Sequence, residues 1–253
     1  MFNFLKKKEE QSIPETLEEA LKQESVNVSE NDSELETASL IDFQAAETAP
    51  IPEVIPDDYP DEYLFNAPQI AGWLSTQEQE LLFSALLLYY SPTQSVLDVG
   101  CARADLYGYL RRVFPEVEIN YTGMDYNVNL LNIAKRKFPI LSDKVIAQDI
   151  LNSGSGEPTQ YDWVFGSGLF NLNDHPDMFL YATSVVDKMY ENAKIGVAFN
   201  LLTGLPEDLA QSDIDQLIVH DPSKWLNHLI GKYGKVLLRS DYMAGDMTFV
   251  ILK

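Results

Sequence analysis

The sequence predicts an α/β fold built on a mainly parallel sheet, and two features of it carry that expectation. From Ser75 onward, short apolar runs alternate with stretches of helical apolar spacing, and the last two runs are separated only by a turn around Ala244-Gly245-Asp246. Alternation places a crossover helix after each strand and covers the sheet on both faces. Two strands joined by so short a turn pair antiparallel.

Thr76 to Tyr90 carries Leu81, Leu82, Ala85, Leu88 and Tyr89 at helical spacing, with Ser75 and Glu78 placed as a capping pair, so a helix is expected to enter the core here. Ser95 to Gly100 is an apolar strand ending in a turn, and Asp105 to Phe114 is a helix burying Leu106, Leu110 and Val113. The pattern repeats as strand Ile119 to Met124, helix Asn127 to Lys137, strand Lys144 to Ala147, strand Tyr161 to Gly166, helix Pro176 to Asn192 and strand Ile195 to Leu201. Helix Pro222 to Tyr233 then leads into the closing hairpin, Lys235 to Ser240 and Met247 to Leu252. Seven strands with a C-terminal antiparallel hairpin outline a variant of the doubly wound fold, distinct from the all-parallel dinucleotide fold.

A chain of 253 residues accommodates one full-sized domain with an appendage. Residues 1–62 hold 17 Asp or Glu against 4 Lys, net −13, and the remainder holds 22 against 14, net −8, which together make the −21 of the whole chain. The first stretch mixes Glu, Ser, Thr, Pro and Ala with few aromatics, so residues 1–62 are expected to form a disordered acidic arm and residues 63–253 the domain. Thr16 to Gln23 has the spacing of a short amphipathic helix that a protein partner would order, the alternative being a solubilising leader. So acidic a surface disfavours nucleic acid and anionic lipid, whose affinity for proteins comes from basic groups, and favours a small molecule or a protein. With one cysteine there is no intrachain disulfide, no zinc-ligand spacing occurs, and neither a secretory h-region nor a membrane span is found; a cytoplasmic location is expected.

In an open parallel sheet the ligand lies beyond the C-terminal strand ends, over the first strand-to-helix turn. That turn reads VLDVGCARADLYGYL. Gly100 allows the sharp turn, the helix from Asp105 offers its N-terminal end to a carboxylate, and Asp98 is placed to organise the loop and a ligand amine. Carboxylates recur at the next two strand ends. Asp125 in YTGMDYN is placed to accept from the two hydroxyls of a ribose. Asp149 in IAQDI is placed to accept from an adenine amino group, with Ile150 and Tyr126 packing on the ring faces, although an Asp after a strand also serves as a turn residue. At the fourth strand end, YDWVFGSGLFNL sets Ser167, Gly168, Phe170 and Asn171 in one loop. Asn171 and Asn200 are candidates to orient an acceptor group, or else loop-stabilising amides, and Phe170 is a candidate to line an acceptor pocket. Cys101, with no histidine near it in the motif, reads as packing rather than as a nucleophile, and His175, His220 and His228 have no metal-ligand spacing.

Taken together, GWLSTQEQ, VLDVGCARADLYGYL, TGMDYN, QDI, YDWVFGSGLFNL, IGVAFNLLT and HDPSKW through TFVILK resemble the class I S-adenosylmethionine-dependent methyltransferases of a bacterial and phage-type subgroup, over about 180 residues. The resemblance implies a Rossmann-like seven-stranded sheet with helices on both faces and S-adenosylmethionine as methyl donor. It implies a donor site made of Asp98, Gly100, Cys101, Ala102, Asp125, Tyr126, Asp149, Ile150 and Ser167, with Trp73 and Gln79 closing over the methionine end. The chain departs from the family's first motif, an acidic residue followed by x-Gly-x-Gly-x-Gly, with Ala102 and Ala104 where glycine is usual; Leu82 stands where a basic residue often faces the donor carboxylate. Two readings follow: methyl transfer to a small-molecule or protein acceptor, or the same fold kept as a catalytically weakened binding or structural module.

Overall fold

The computed structural model describes residues 60–73, 75–152, 160–205 and 215–253; the acidic arm and the Thr16 to Gln23 segment lie outside them. Seven strands form one sheet in the order β3-β2-β1-β4-β5-β7-β6. They are β1 Val96–Val99, β2 Tyr121–Asp125, β3 Val145–Ala147, β4 Tyr161–Gly166, β5 Ala193–Leu202, β6 Val236–Arg239 and β7 Asp246–Leu252. β1 pairs in parallel with β2 and β4, and β7 runs antiparallel between β5 and β6. The chain leaves β1 toward β2 and β3, then returns to place β4 on the other side of β1. A crevice therefore opens beyond the C-terminal ends of β1 and β4, where the strand order reverses.

Strand alternation sends successive side chains to opposite faces, and two cores result. On one face Val96, Tyr121, Phe165, Ala198 and Val250 meet α2 (Thr76–Leu86), α3 (Asp105–Val113) and α4 (Val128–Lys137). On the other, Leu97, Val99, Val164, Val197, Phe199 and Phe249 meet α5 (Met178–Asn192) and α6 (Pro222–Tyr233). The helix starts follow local chemistry. Ser75, Asn127, Asp177 and Asp221 each accept a backbone N–H from the first turn of α2, α4, α5 and α6, and Pro222 sits at the first position of α6, where no N–H is needed.

Three expectations shift. α2 ends at Leu86 rather than Tyr90, because its buried stripe is Gln79, Leu82, Phe83, Ala85 and Leu86; Leu81 and Tyr89, expected in the core, are 44% and 52% exposed. β5 extends over ten residues, longer at both ends than its apolar run, because β4 pairs its start at Ala193 and β7 pairs it on to Leu202. A helix α1 (Asp61–Asn66) crosses the position expected to divide arm from domain, and its Leu64, fully buried, packs with Ile133 of α4.

The β4–β5–β7 junction leaves no space beside Gly196: a Cβ there would lie 2.7 Å from the Ile251 carbonyl oxygen and 2.8 Å from the Trp163 ring. Gly196→Ala is expected to lower stability by about 1–3 kcal/mol through overpacking, read as a lower midpoint of urea unfolding at unchanged slope; an unshifted midpoint means that β7 moves aside freely.

Candidate functional site

The floor of the crevice is the loop from β1 to α3, and it is built on left-handed backbone. Gly100 has φ 70°, and Ala102 and Ala104, the two alanines in glycine positions, have φ 46° and 59°. A methyl group in that region costs roughly 1–2 kcal/mol per residue, so other contacts impose the geometry. The Gly100 and Cys101 N–H groups donate to the Met124 carbonyl at 2.8 and 3.1 Å, and the Ala104 N–H donates to the Cys101 carbonyl at 2.7 Å. The Ala102 N–H donates to Asp125 Oδ2 at 2.8 Å.

Asp125 ends β2 beside this loop. Its second oxygen, Oδ1, accepts from the Asn127 N–H at 2.8 Å, so one carboxylate ties the first loop to the start of α4. Burial raises its pKa above the ordinary range, while the backbone N–H groups pull the other way. Beyond it an open cleft is lined by Val99, Gly100, Met124, Asp125, Tyr126, Gln148, Asp149, Ile150, Leu169, Tyr181 and Val185. Tyr126 is 73% exposed at the rim, Ile150 is buried, and the Tyr181 ring is stacked on His175 at 3.7 Å. Asp149 lines the cleft while its oxygens accept from the Leu151 N–H at 2.9 Å and the Asn152 Nδ2 at 3.0 Å, so it also builds the turn after β3.

Other expected residues stand elsewhere. Asp98 and Cys101 lie under the floor, on the face covered by α3. Asp98 is 3% exposed and accepts from the Tyr121 hydroxyl at 2.6 Å, and Cys101 packs against Gly123. Burial, aided by the charges of Asp125 and Asp105, pushes Asp98 up to about 7. Burial also raises the Cys101 thiol well above its ordinary value, consistent with packing rather than nucleophilic chemistry. Gln79 does not face the crevice either: it is buried and donates to Asp105 Oδ2 at 3.3 Å.

That bond belongs to a cluster that the sequence analysis missed. Arg103, 2% exposed, donates to Asp105 Oδ2 through Nε and Nη2 at 3.1 and 2.8 Å, and through Nη1 to the carbonyls of Leu64 and Ala67 at 2.7 and 2.6 Å. Lys137 donates to Asp105 Oδ1 at 2.7 Å and to the Phe65 carbonyl at 2.9 Å. The cluster fastens α1 and the residues after it to the first turn of α3. Nearby cations hold Asp105 below the usual carboxylate range despite its burial. The only signal in the sequence was the Arg-Ala-Asp step in the loop, and Lys137 lies 32 residues further on.

The loop after β4 forms the other wall. The Gly168 N–H donates to Asn200 Oδ1 at 2.7 Å, and Asn200 Nδ2 lies 3.5 Å from Ser167 Oγ. Trp73 lies over Gly168, where a Cβ would be 3.0 Å from its ring. The Asn171 side chain accepts from the Leu202 N–H at 3.2 Å, so both amides brace the loop. Asn200 is 1% exposed, its amide taken up by these bonds. Phe170 is fully buried and packs on Phe199 and Trp225, because the loop turns it inward. Its carbonyl faces His220 Nε2 at 2.8 Å, and Trp225 Nε1 donates to His220 Nδ1 at 3.2 Å, which makes the imidazole a neutral Nε2–H donor.

No family model matches the chain, and no curated protein matches it. Its fold is found among solved structures. The pyocyanin biosynthetic protein PhzM superposes with a TM-score of 0.51 at 16% identity, over 76% of this chain and 61% of that one. Magnesium protoporphyrin IX methyltransferase (ChlM) from Synechocystis PCC 6803, with bound SAH, gives a TM-score of 0.48 at 13% identity over 76% of this chain and 82% of that one. The S-adenosylmethionine-dependent methyltransferase SibL gives 0.48 at 16% identity over 70% and 55%. The strand order and the likeness to PhzM show a Rossmann-like seven-stranded sheet with helices on both faces and an antiparallel C-terminal hairpin.

Ala102 is only partly buried, so replacing it by glycine sacrifices little packing. Ala102→Gly is expected to leave stability unchanged or raise it by up to about 1 kcal/mol, the relief of left-handed strain exceeding glycine's added unfolded-state entropy; a clear loss in urea unfolding contradicts this. Asp98 carries a folded pKa far above the unfolded one, so its neutral form favours the fold at low pH and that contribution is lost as pH rises from roughly 4 toward 7. Asp98→Asn keeps an acceptor for Tyr121 without the charge, so its stability relative to the native chain is expected to grow over that window; a constant difference at pH 4 and 7 rules the buried proton out.

Proposed function

We propose that the chain is an S-adenosylmethionine-dependent methyltransferase acting on a small-molecule or protein acceptor. The observation that carries this reading is the Asp125 carboxylate, presented at the end of β2 toward the cleft and held by the N–H groups of Ala102 and Asn127. A carboxylate offers about four acceptor sites, so capacity beyond its backbone bonds remains for the two adjacent hydroxyls of a ribose.

The cleft residues fit an adenosine. Ile150 offers an apolar surface and Tyr126 and Tyr181 two aromatic ones, while Gln148 and Asp149 offer polar groups to the base edge. When bound, S-adenosylmethionine supplies a methyl carbon on a positively charged sulfur, open to attack by an acceptor nitrogen, oxygen or sulfur. The chain's own part is positional. Asp125 fixes the ribose, Gly100 allows the sharp turn that forms the floor, and the wall of Gly168 and Trp73 bounds the side from which an acceptor arrives. Holding two reactants in line supplies much of the rate gain in such a transfer, so no dedicated general base is required. The net charge of −21 argues against a nucleic-acid acceptor.

A second reading, the fold kept as a binding module, is favoured by the alanines at φ 46° and 59° in the loop. Donor affinity separates the two. Calorimetric titration with S-adenosylmethionine and S-adenosylhomocysteine is expected to show micromolar binding, and Asp125→Ala to weaken it by at least about 100-fold, the loss of two hydrogen bonds to a charged group. A melting curve of the variant confirms that it is folded. Absence of binding by the folded native chain supports the module instead.

A further inference from the structure

Leu169 divides the crevice. Its Cδ1 lies 2.8 Å from where a Cβ on Gly100 would stand, and its Cδ2 lies 3.2 Å from the corresponding point on Gly166. The isobutyl group thus rests on the glycine that opens the floor, between the end of β1 and the end of β4. Leu169 is part of the cleft lining, beside Gly100.

The backbone around Leu169 is anchored on both sides. Before it, the Gly168 N–H is held by Asn200 and Trp73 covers Gly168. After it, Phe170 is fully buried and its carbonyl is bonded to His220. Movement at this point therefore falls to the Leu169 side chain. The residue is only partly buried, so a rotamer change toward solvent is open to it.

We propose that Leu169 sets the length of ligand the crevice takes: a nucleoside needs no movement of Leu169, whereas an adenosine carrying an amino-acid arm enters only after the Leu169 side chain swings off Gly100. This rests on the adenosine reading of the cleft and adds a specificity-determining residue to it. A ligand that binds only a minor conformer has its apparent affinity reduced by that conformer's population.

The test titrates adenosine, 5′-methylthioadenosine and S-adenosylhomocysteine into the full chain and into Leu169→Ala and Leu169→Val. Removing the block is expected to tighten S-adenosylhomocysteine by about tenfold, the gain if roughly one molecule in ten is open beforehand, with Leu169→Val in between and the two arm-less nucleosides changed less than about twofold. An equal change for all three ligands, or weaker S-adenosylhomocysteine binding in the folded variants, overturns the inference and leaves the donor site standing. If the native chain binds none of the three, the adenosine reading and the role of Leu169 fall together. Should Leu169→Ala unfold, the smaller truncation to valine carries the comparison.

Discussion

The arrangement of the site depends on one carboxylate. Asp125 accepts the Ala102 N–H from the first strand-to-helix loop and the Asn127 N–H from the second, so it joins the floor of the crevice to the start of α4. Hydrogen bonds to an ionised acceptor are among the stronger ones available to a protein, and here both donors are backbone groups with no side-chain freedom to lose. Burial raises the cost of the charge and holds its pKa above the ordinary range, and backbone N–H groups counter part of that cost. A residue read in sequence as a ligand contact is equally a structural clamp.

The clamp bears on how the loop tolerates its alanines. Glycine is the usual occupant of left-handed positions because it lacks a Cβ. Ala102 is held at φ 46° while its N–H reaches Asp125, and Ala104 at φ 59° while its N–H reaches the Cys101 carbonyl. Ala104 is fully buried in the core beneath, so its methyl group recovers part of the strain through packing. Departure from the glycine pattern thus costs stability locally without opening the loop.

On the other side of the floor, Asp105 gathers Arg103, Lys137 and Gln79. Buried charges are tolerated when paired and hydrogen-bonded, and this group also satisfies three carbonyls between Leu64 and Ala67. The segment ahead of α2 is thereby joined to the same loop that floors the crevice. Trp73, between that segment and α2, lies on Gly168 of the opposite wall. Both walls are therefore coupled to a part of the chain with little apolar patterning of its own.

Most of the fold was legible because it follows from local periodicity. The alternation of apolar strands and amphipathic helices, the Ser75 cap and the short turn before Met247 all act over a few residues, and they yielded the seven strands and the antiparallel end. Asp125, Tyr126, Asp149 and Ile150 were legible as strand-end residues, and they do line the cleft. The direction each side chain takes was not legible. Asp98 and Cys101 sit in the same motif as Gly100 yet turn beneath the floor; Gln79 turns to Asp105, and Phe170 and Asn200 are drawn inward to fill and brace the β4 loop. Lys137 meets Asp105 across 32 residues and Leu169 meets Gly100 across two strands, contacts that no spacing rule contains. Fold class and the strand ends can be read from local patterns of apolar and turn residues. Which of the strand-end residues face the cleft depends on distant groups that compete for the same space and the same hydrogen bonds, and it emerges only when the chain is packed.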